Sequence, residues 1–100
     1  MQQISPDQLR TWMAEGKEFG LIDVREAFEH EHFSIGGDLI PLGDLMRSKE
    51  QIQRDVPVVL YCEKGIRSVI AIQRLEAAGL GNLINLEGGM KAWRSSMGIS

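Results

Sequence analysis

The chain has 100 residues, with 11 Lys and Arg against 14 Asp and Glu, and a formal net charge of -3. That length bounds a single domain over residues 1–100, with enough chain to bury a real core. The acidic balance gives no sign of the basic excess that nucleic acid selects, no apolar run approaches the roughly 20 residues of a membrane span, and the first residues lack the regions of a signal peptide.

The single cysteine cannot form an internal disulfide, which fits a reducing compartment and sets the expectation of a cytoplasmic protein. In chain order, Ile4 reads as a short strand entry. A helix follows, with Ser5 as N-cap, Pro6 at the first helical position and Gln8 completing a capping box. Leu9, Trp12 and Met13 fall on one face of it, and Gly16 marks its end. "EFGLIDV" is a short apolar run ending near Asp23, consistent with a buried parallel strand. "REAFEHEHF" reads as a short helix and loop anchored by Phe28 and Phe33.

Gly36 and Gly37 then make a turn, Leu39 and Ile40 a short strand, and Leu42 opens a helical turn. "KEQIQR" reads as a helix end. "DVPVVLYC" is the strongest strand signal, continuous and β-branched. Residues 68–78 form a helix, with Ala71, Ile72, Leu75 and Ala78 on one face and Gly79 at the C-cap. "NLINLEGG" is a last strand, and "MKAWRSSMG" a last helix with Met90, Trp93 and Met97 inward.

This alternation predicts an α/β domain with a mainly parallel sheet. Ligands of such sheets bind beyond the C-terminal strand ends, the edge that should collect Asp23, Cys62 and the segment 87–89. Cys62 is followed by "EKGIR" and then the helix at Ser68. A loop closing into a helix N-terminus turns backbone N–H groups toward a common centre, and with Lys64 and Arg67 it favours a thiolate. Gly65 permits a positive φ there. Glu63 opposes the thiolate, an effect that screening reduces for an exposed charge. Read without these neighbours, Cys62 is a buried residue ending a core strand.

"CEKGIRS" resembles the active-site loop of the rhodanese family, in which Cys-x-x-Gly-x-Arg-Ser is common. "LIDVRE" (residues 21–26) resembles the family's first signature, "IGGDLIPL" (35–42) its middle segment, and "NLINLEGGMKAW" (82–93) its C-terminal signature. The resemblance implies a rhodanese-like α/β fold, a five-stranded and mostly parallel sheet with helices on both sides. It implies transfer of a sulfane sulfur through a persulfide on Cys62, from a small donor such as thiosulfate or a polysulfide to cyanide, a thiol or a protein acceptor. No metal and no cofactor is required.

The implied site comprises Cys62 as the catalytic residue and Glu63, Lys64, Gly65, Ile66, Arg67 and Ser68 as substrate-binding residues. Asp23 and Arg25 support it, Asp23 by orienting loop backbone and Arg25 within an ion-pair network. Arg67 either binds the anionic donor or caps loop carbonyls. Lys64 either meets the donor or is a solvated lysine. Glu63 stands where many members carry a basic residue, and "HFSIGG" lacks the family's usual Gly-His pair and proline. With one cysteine, the sulfur must leave to an acceptor outside the chain.

His30 and His32 match no zinc motif and read as surface histidines. "EGGMKAW" is not a phosphate loop; Gly88 and Gly89 set a strand-to-helix turn. Trp12 and Trp93 read as core anchors. Two other functions remain open. One is a phosphatase or arsenate reductase, which on this fold uses Cys-x5-Arg, whereas Arg67 comes one position early for that spacing. The other is a non-catalytic binding module, in which the cysteine is usually lost.

Overall fold

The computed structural model describes residues 1–98. The chain runs β1 (Gln2–Ile4), α1 (Pro6–Glu15), β2 (Gly20–Asp23), α2 (Ala27–His32) and β3 (Asp38–Leu39). Two 3₁₀ segments, Leu42–Asp44 and Met46–Gln51, lead to β4 (Val58–Tyr61). The chain closes with α3 (Ile66–Ala77), β5 (Leu83–Leu86) and α4 (Gly89–Ser96).

The strands form one five-stranded sheet in the order β1-β5-β4-β2-β3. Every described pairing is parallel, so the sheet is parallel throughout rather than mostly so. The most apolar run, β4, lies at its centre and is buried at every position, as a strand covered on both faces must be. Alternation along β4 divides the core. Val58 and Leu60, with Cys62 just beyond, pack with Ala71, Ile72 and Leu75 of α3. Val59 and Tyr61 face the opposite way, into Leu9 of α1 and Met90 and Trp93 of α4. Helices therefore cover both faces. Burying a leucine such as Leu75 completely contributes about 1.5–3 kcal/mol.

Local signals in the sequence were followed closely at the first helix. Ser5 Oγ accepts from Gln8 N and Gln8 Oε1 accepts from Ser5 N, both at 3.1 Å, with Pro6 opening α1. Gly16 ends it in the left-handed conformation at φ 68°.

Several apolar side chains sit elsewhere than their spacing implied. Trp93 is buried and Trp12 half-buried against the same core, but Met13 lies exposed on α1. Met97 follows the end of α4 and is 50% exposed, beyond the stripe set by Met90 and Trp93. Phe33 packs against the core, whereas Phe28 is 71% exposed. The helix expected from Ser68 starts two residues earlier, at Ile66, because Gly65 forms its N-cap at φ 93°. That earlier start brings the first-turn amides toward Cys62.

The register places the site. β2 and β4 pair so that Asp23 lies opposite Tyr61. Their C-terminal ends thus release Arg25 and Cys62 side by side at one sheet edge.

Candidate active site

Cys62 leaves the central strand on the face covered by α3, and only 1% of its surface is exposed. Its Sγ accepts from Gly65 N at 3.1 Å and from Ser68 N at 3.4 Å. The Ser68 hydroxyl lies 3.4 Å from the same sulfur and donates to Asn85 Oδ1 on β5. Asn85 Nδ2 in turn donates to Gln3 Oε1 at 2.8 Å, which ties the cradle to the edge strand β1. A serine hydroxyl has one proton. Given to Asn85, it leaves Oγ to accept from a thiol; turned toward Sγ, it supports a thiolate.

The loop that makes this cradle is held from behind by α4. Its first amides, Met90 N and Lys91 N, donate to the carbonyls of Cys62 and Glu63, each at 2.9 Å. The helix can approach this closely because Gly89 has no side chain. A Cβ there would lie 2.4 Å from Cys62 O and 2.6 Å from Glu63 O. Gly89 also has φ 61°, which side-chain-bearing residues rarely adopt. Gly65 is needed for its φ rather than for space, since a Cβ would meet only ordinary contacts.

Carboxylate–guanidinium pairs frame the mouth. Asp23 is fully buried, and its Oδ1 accepts from Arg25 N at 2.9 Å and from Arg25 Nε at 3.0 Å. Burial pushes the Asp23 carboxyl up. Hydrogen bonds from the Arg25 side chain, His30 and the Arg25 amide outweigh it and hold the group below its ordinary value. Arg25 also donates to Phe33 O at 2.6 Å, fixing the start of the middle loop. The Tyr61 hydroxyl, pushed up chiefly by burial, donates to Gly36 O at 2.7 Å and holds that loop further along.

Three expectations are corrected here. Arg67 neither caps loop carbonyls nor stands free for a donor: its Nη1 and Nη2 donate to Glu29 Oε2 and Oε1 at 2.8 and 2.9 Å. The Arg67 hydrogen bonds hold the Glu29 carboxyl down at about 2. Glu63 is not a lone screened charge, because it pairs with Arg94 and lies 3.7 Å from Arg25. His30 is no surface histidine; it is half-buried with Nδ1 2.8 Å from Asp23 Oδ2, while His32 is exposed as expected. Lys64 is exposed and takes part in no ion pair among the described residues.

The candidate substrate-binding residues divide accordingly. Gly65 and Ser68 contact the sulfur directly. Glu63, Lys64, Ile66 and Arg67 line, with Cys62 and Glu29, a pocket of about 330 Å³. A second recess of about 560 Å³ adjoins it, shares Glu29 and Glu63, and reaches Arg25, Phe28, His32, Phe33 and Arg94. Glu29, Arg94 and Asn85 were not singled out from the sequence. Glu29 carried one usable signal, since it sits three residues after the N-cap Glu26 and its Oε2 accepts from Glu26 N at 2.9 Å. Arg94 and Asn85 had none, being brought in by tertiary packing alone. Among the described residues, no cluster of three or more His, Cys, Asp or Glu is placed to hold a metal ion, and no helix is long and apolar enough to cross a membrane.

A family model for the rhodanese-like domain matches residues 5–96. The chain is 38% identical over 98 residues to the probable adenylyltransferase/sulfurtransferase MoeZ of Mycobacterium tuberculosis, an alignment covering 94% of this chain and 25% of MoeZ. It is 33% identical over 94 residues to the putative sulfurtransferase YtwF of Bacillus subtilis, covering 93% of this chain and 90% of YtwF. The chain thus spans a quarter of MoeZ but most of YtwF. The crystal structure of a rhodanese-related protein from Thermoplasma volcanium superposes with a TM-score of 0.85 at 30% identity, covering 100% of this chain and 96% of that one. With the parallel sheet, the cysteine loop and the family match in agreement, this chain belongs to the rhodanese-like domain family.

Proposed function

We propose that the protein is a sulfurtransferase that carries a sulfane sulfur as a persulfide on Cys62. The observation that supports this most strongly is the position of Sγ, which accepts from Gly65 N and Ser68 N at the N-terminus of α3 and on the wall of an open pocket. Sulfurtransferase relatives such as YtwF support transfer of sulfur in general.

In the first half-reaction the Cys62 thiolate attacks the outer sulfur of the donor. With thiosulfate the sulfur–sulfur bond breaks and sulfite leaves with its electron pair. With an organic persulfide the leaving group is the organic thiolate. Either way Cys62 gains one sulfur, and no external oxidant or reductant is consumed. The anionic outer sulfur needs donors. An α-helix leaves its first amides without intrahelical acceptors, and in α3 those are Ile66, Arg67 and Ser68. Ser68 N is engaged by Sγ, so Ile66 N and Arg67 N are assigned to the outer sulfur.

In the second half-reaction an external acceptor, cyanide or a thiol, attacks that outer sulfur and restores the thiolate. Asp23 and Arg25 act as positioning residues. Arg25, braced by Asp23, holds Phe33 O and so the loop beside the mouth. Phosphate chemistry fits less well, because it calls for a guanidinium free to bind the oxyanion and Arg67 is committed to Glu29. The proposal is tested by intact-mass spectrometry after exposure to a sulfur donor, with Cys62→Ser as the control.

A further inference from the structure

Glu29 and Arg67 meet on the wall of the pocket that holds Cys62. Both terminal nitrogens of the guanidinium are directed at the one carboxylate, at 2.8 and 2.9 Å, which is the bidentate fork an oxyanion ligand would otherwise use. The guanidiniums of the adjoining recess are equally committed. Arg94 pairs with Glu63, and Arg25 lies between Asp23 and Glu63. Of the cations lining these two cavities, only Lys64 is in no ion pair among the described residues, and it is exposed to solvent.

Thiosulfate is a dianion whose sulfonate oxygens need hydrogen-bond donors and compensating charge. A persulfide on an organic thiol bears at most one charge at its reacting end, on the sulfur that is transferred. Its carbon portion needs apolar contact instead. Ile66 is 66% exposed on the Cys62 pocket and Phe28 is 71% exposed on the neighbouring recess, so apolar surface is available at the mouth.

We infer that Glu29 is a specificity-determining residue: by engaging both arms of Arg67 at the pocket wall, it turns the site away from doubly charged donors such as thiosulfate and toward persulfides carried on organic thiols. The inference rests on the sulfur-transfer reading of Cys62. Glu29 acts through Arg67 and is therefore a positioning residue. The transfer step itself is unchanged: the Cys62 thiolate takes the outer sulfur, the donor's sulfur–sulfur bond breaks, and the organic thiolate leaves with the electron pair.

The test follows loading of Cys62 by time-resolved intact-mass spectrometry, at a series of concentrations of thiosulfate and of 2-hydroxyethyl persulfide. Wild type, Glu29→Gln, Arg67→Met and the double variant are compared. The readout is the ratio of the two second-order rate constants, which a merely structural brace would not move in one direction. Releasing Arg67 in Glu29→Gln is expected to raise the thiosulfate-to-persulfide ratio about tenfold, mainly through half-saturation by thiosulfate, with the gain shrinking as salt is added. In the double variant the gain disappears. An unchanged or lower ratio in Glu29→Gln overturns the inference. Should Glu29→Gln fail to fold, the remaining pair decides. Arg67→Met leaves a bare carboxylate and lowers the ratio, and the double variant restores it. A double variant as poor as Arg67→Met means that Arg67 itself holds thiosulfate, which overturns the inference. Absence of loading from either donor, in the wild type as well, would instead overturn the sulfur-transfer reading and this inference with it.

Discussion

The backbone N–H of Met90 donates to the carbonyl of Cys62 across 2.9 Å, so the peptide of Cys62 is held by the first turn of the last helix. Gly89 makes that approach possible, since a Cβ there would overlap Cys62 O at 2.4 Å. Gly89→Ala must either open this contact or strain the loop at a φ of 61°. It is expected to destabilise the fold by about 2–4 kcal/mol and to reduce sulfur loading. Urea unfolding and intact-mass loading check both. A variant of wild-type stability that loads at the wild-type rate would show that α4 does not set the loop.

The Glu29–Arg67 pair also leaves a signature in pH dependence. Glu29 has a folded-state pKa of about 2, below its ordinary 4.5. A depressed carboxylate contributes stability that is fully present above the unfolded value and lost as pH falls through the folded one. The window therefore runs from about pH 4.5 down to about pH 2. The Glu29 side chain is 22% exposed, so after screening the contribution is about 1–2 kcal/mol. Glu29→Gln is expected to be less stable than wild type at pH 6, with the gap closing across that window. Asp23, also held low, makes wild type and variant alike lose stability in acid, so the difference between the two proteins is the quantity to follow. A gap that stays constant down to the acid end would show that the pair contributes nothing through charge.

Loop length is expected to select sulfur over phosphate. Gly65 N and Ser68 N converge on Sγ because only two residues separate Cys62 from Gly65 and the helix starts at the next one. One glycine inserted after Gly65 enlarges the ring and moves Ser68 N away from the sulfur. Sulfur transfer is expected to fall at least about tenfold, or roughly 1.4 kcal/mol of transition-state stabilisation. Weak aryl-phosphate hydrolysis or arsenate binding is the expected gain, since extra amides at a helix N-terminus suit larger anions. Parallel assays on both proteins, with circular dichroism to verify folding, check this. Full retention of sulfur transfer in a folded insertion variant would mean that ring size does not choose the substrate.

How much of this was legible in the sequence depends on how local the cause is. The capping box of Ser5 and Gln8, the Gly16 stop and the continuous run of β4 act within a few residues, and each was readable. The placement of Cys62 at the edge of a parallel sheet followed from strand–helix alternation. The start of α3 was misjudged by two residues because Gly65, read as a loop glycine, also serves as its N-cap. The charge partners were not readable. Arg67 and Glu29 lie 38 residues apart, and Glu63 and Arg94 31 apart, so their pairing is set by the packing of α2, α3 and α4. His30 was dismissed for lacking a metal motif, when its partner was the buried Asp23. Phe28 was assigned inward from residue type and Met97 from its spacing four residues after Trp93, and neither fixes the face at the end of a short helix.

The central claim is that sulfur is carried on Cys62, and intact-mass spectrometry tests it most directly. The wild-type protein is incubated with 2-hydroxyethyl persulfide or thiosulfate, freed of excess donor and weighed, then treated with cyanide and weighed again. The expected result is a species heavier by one sulfur atom, localised to the peptide containing Cys62, which returns to the original mass with release of thiocyanate. Cys62→Ser is expected to show no added mass. A wild-type protein that never gains the sulfur from either donor, or a Cys62→Ser variant that still does, would contradict the account.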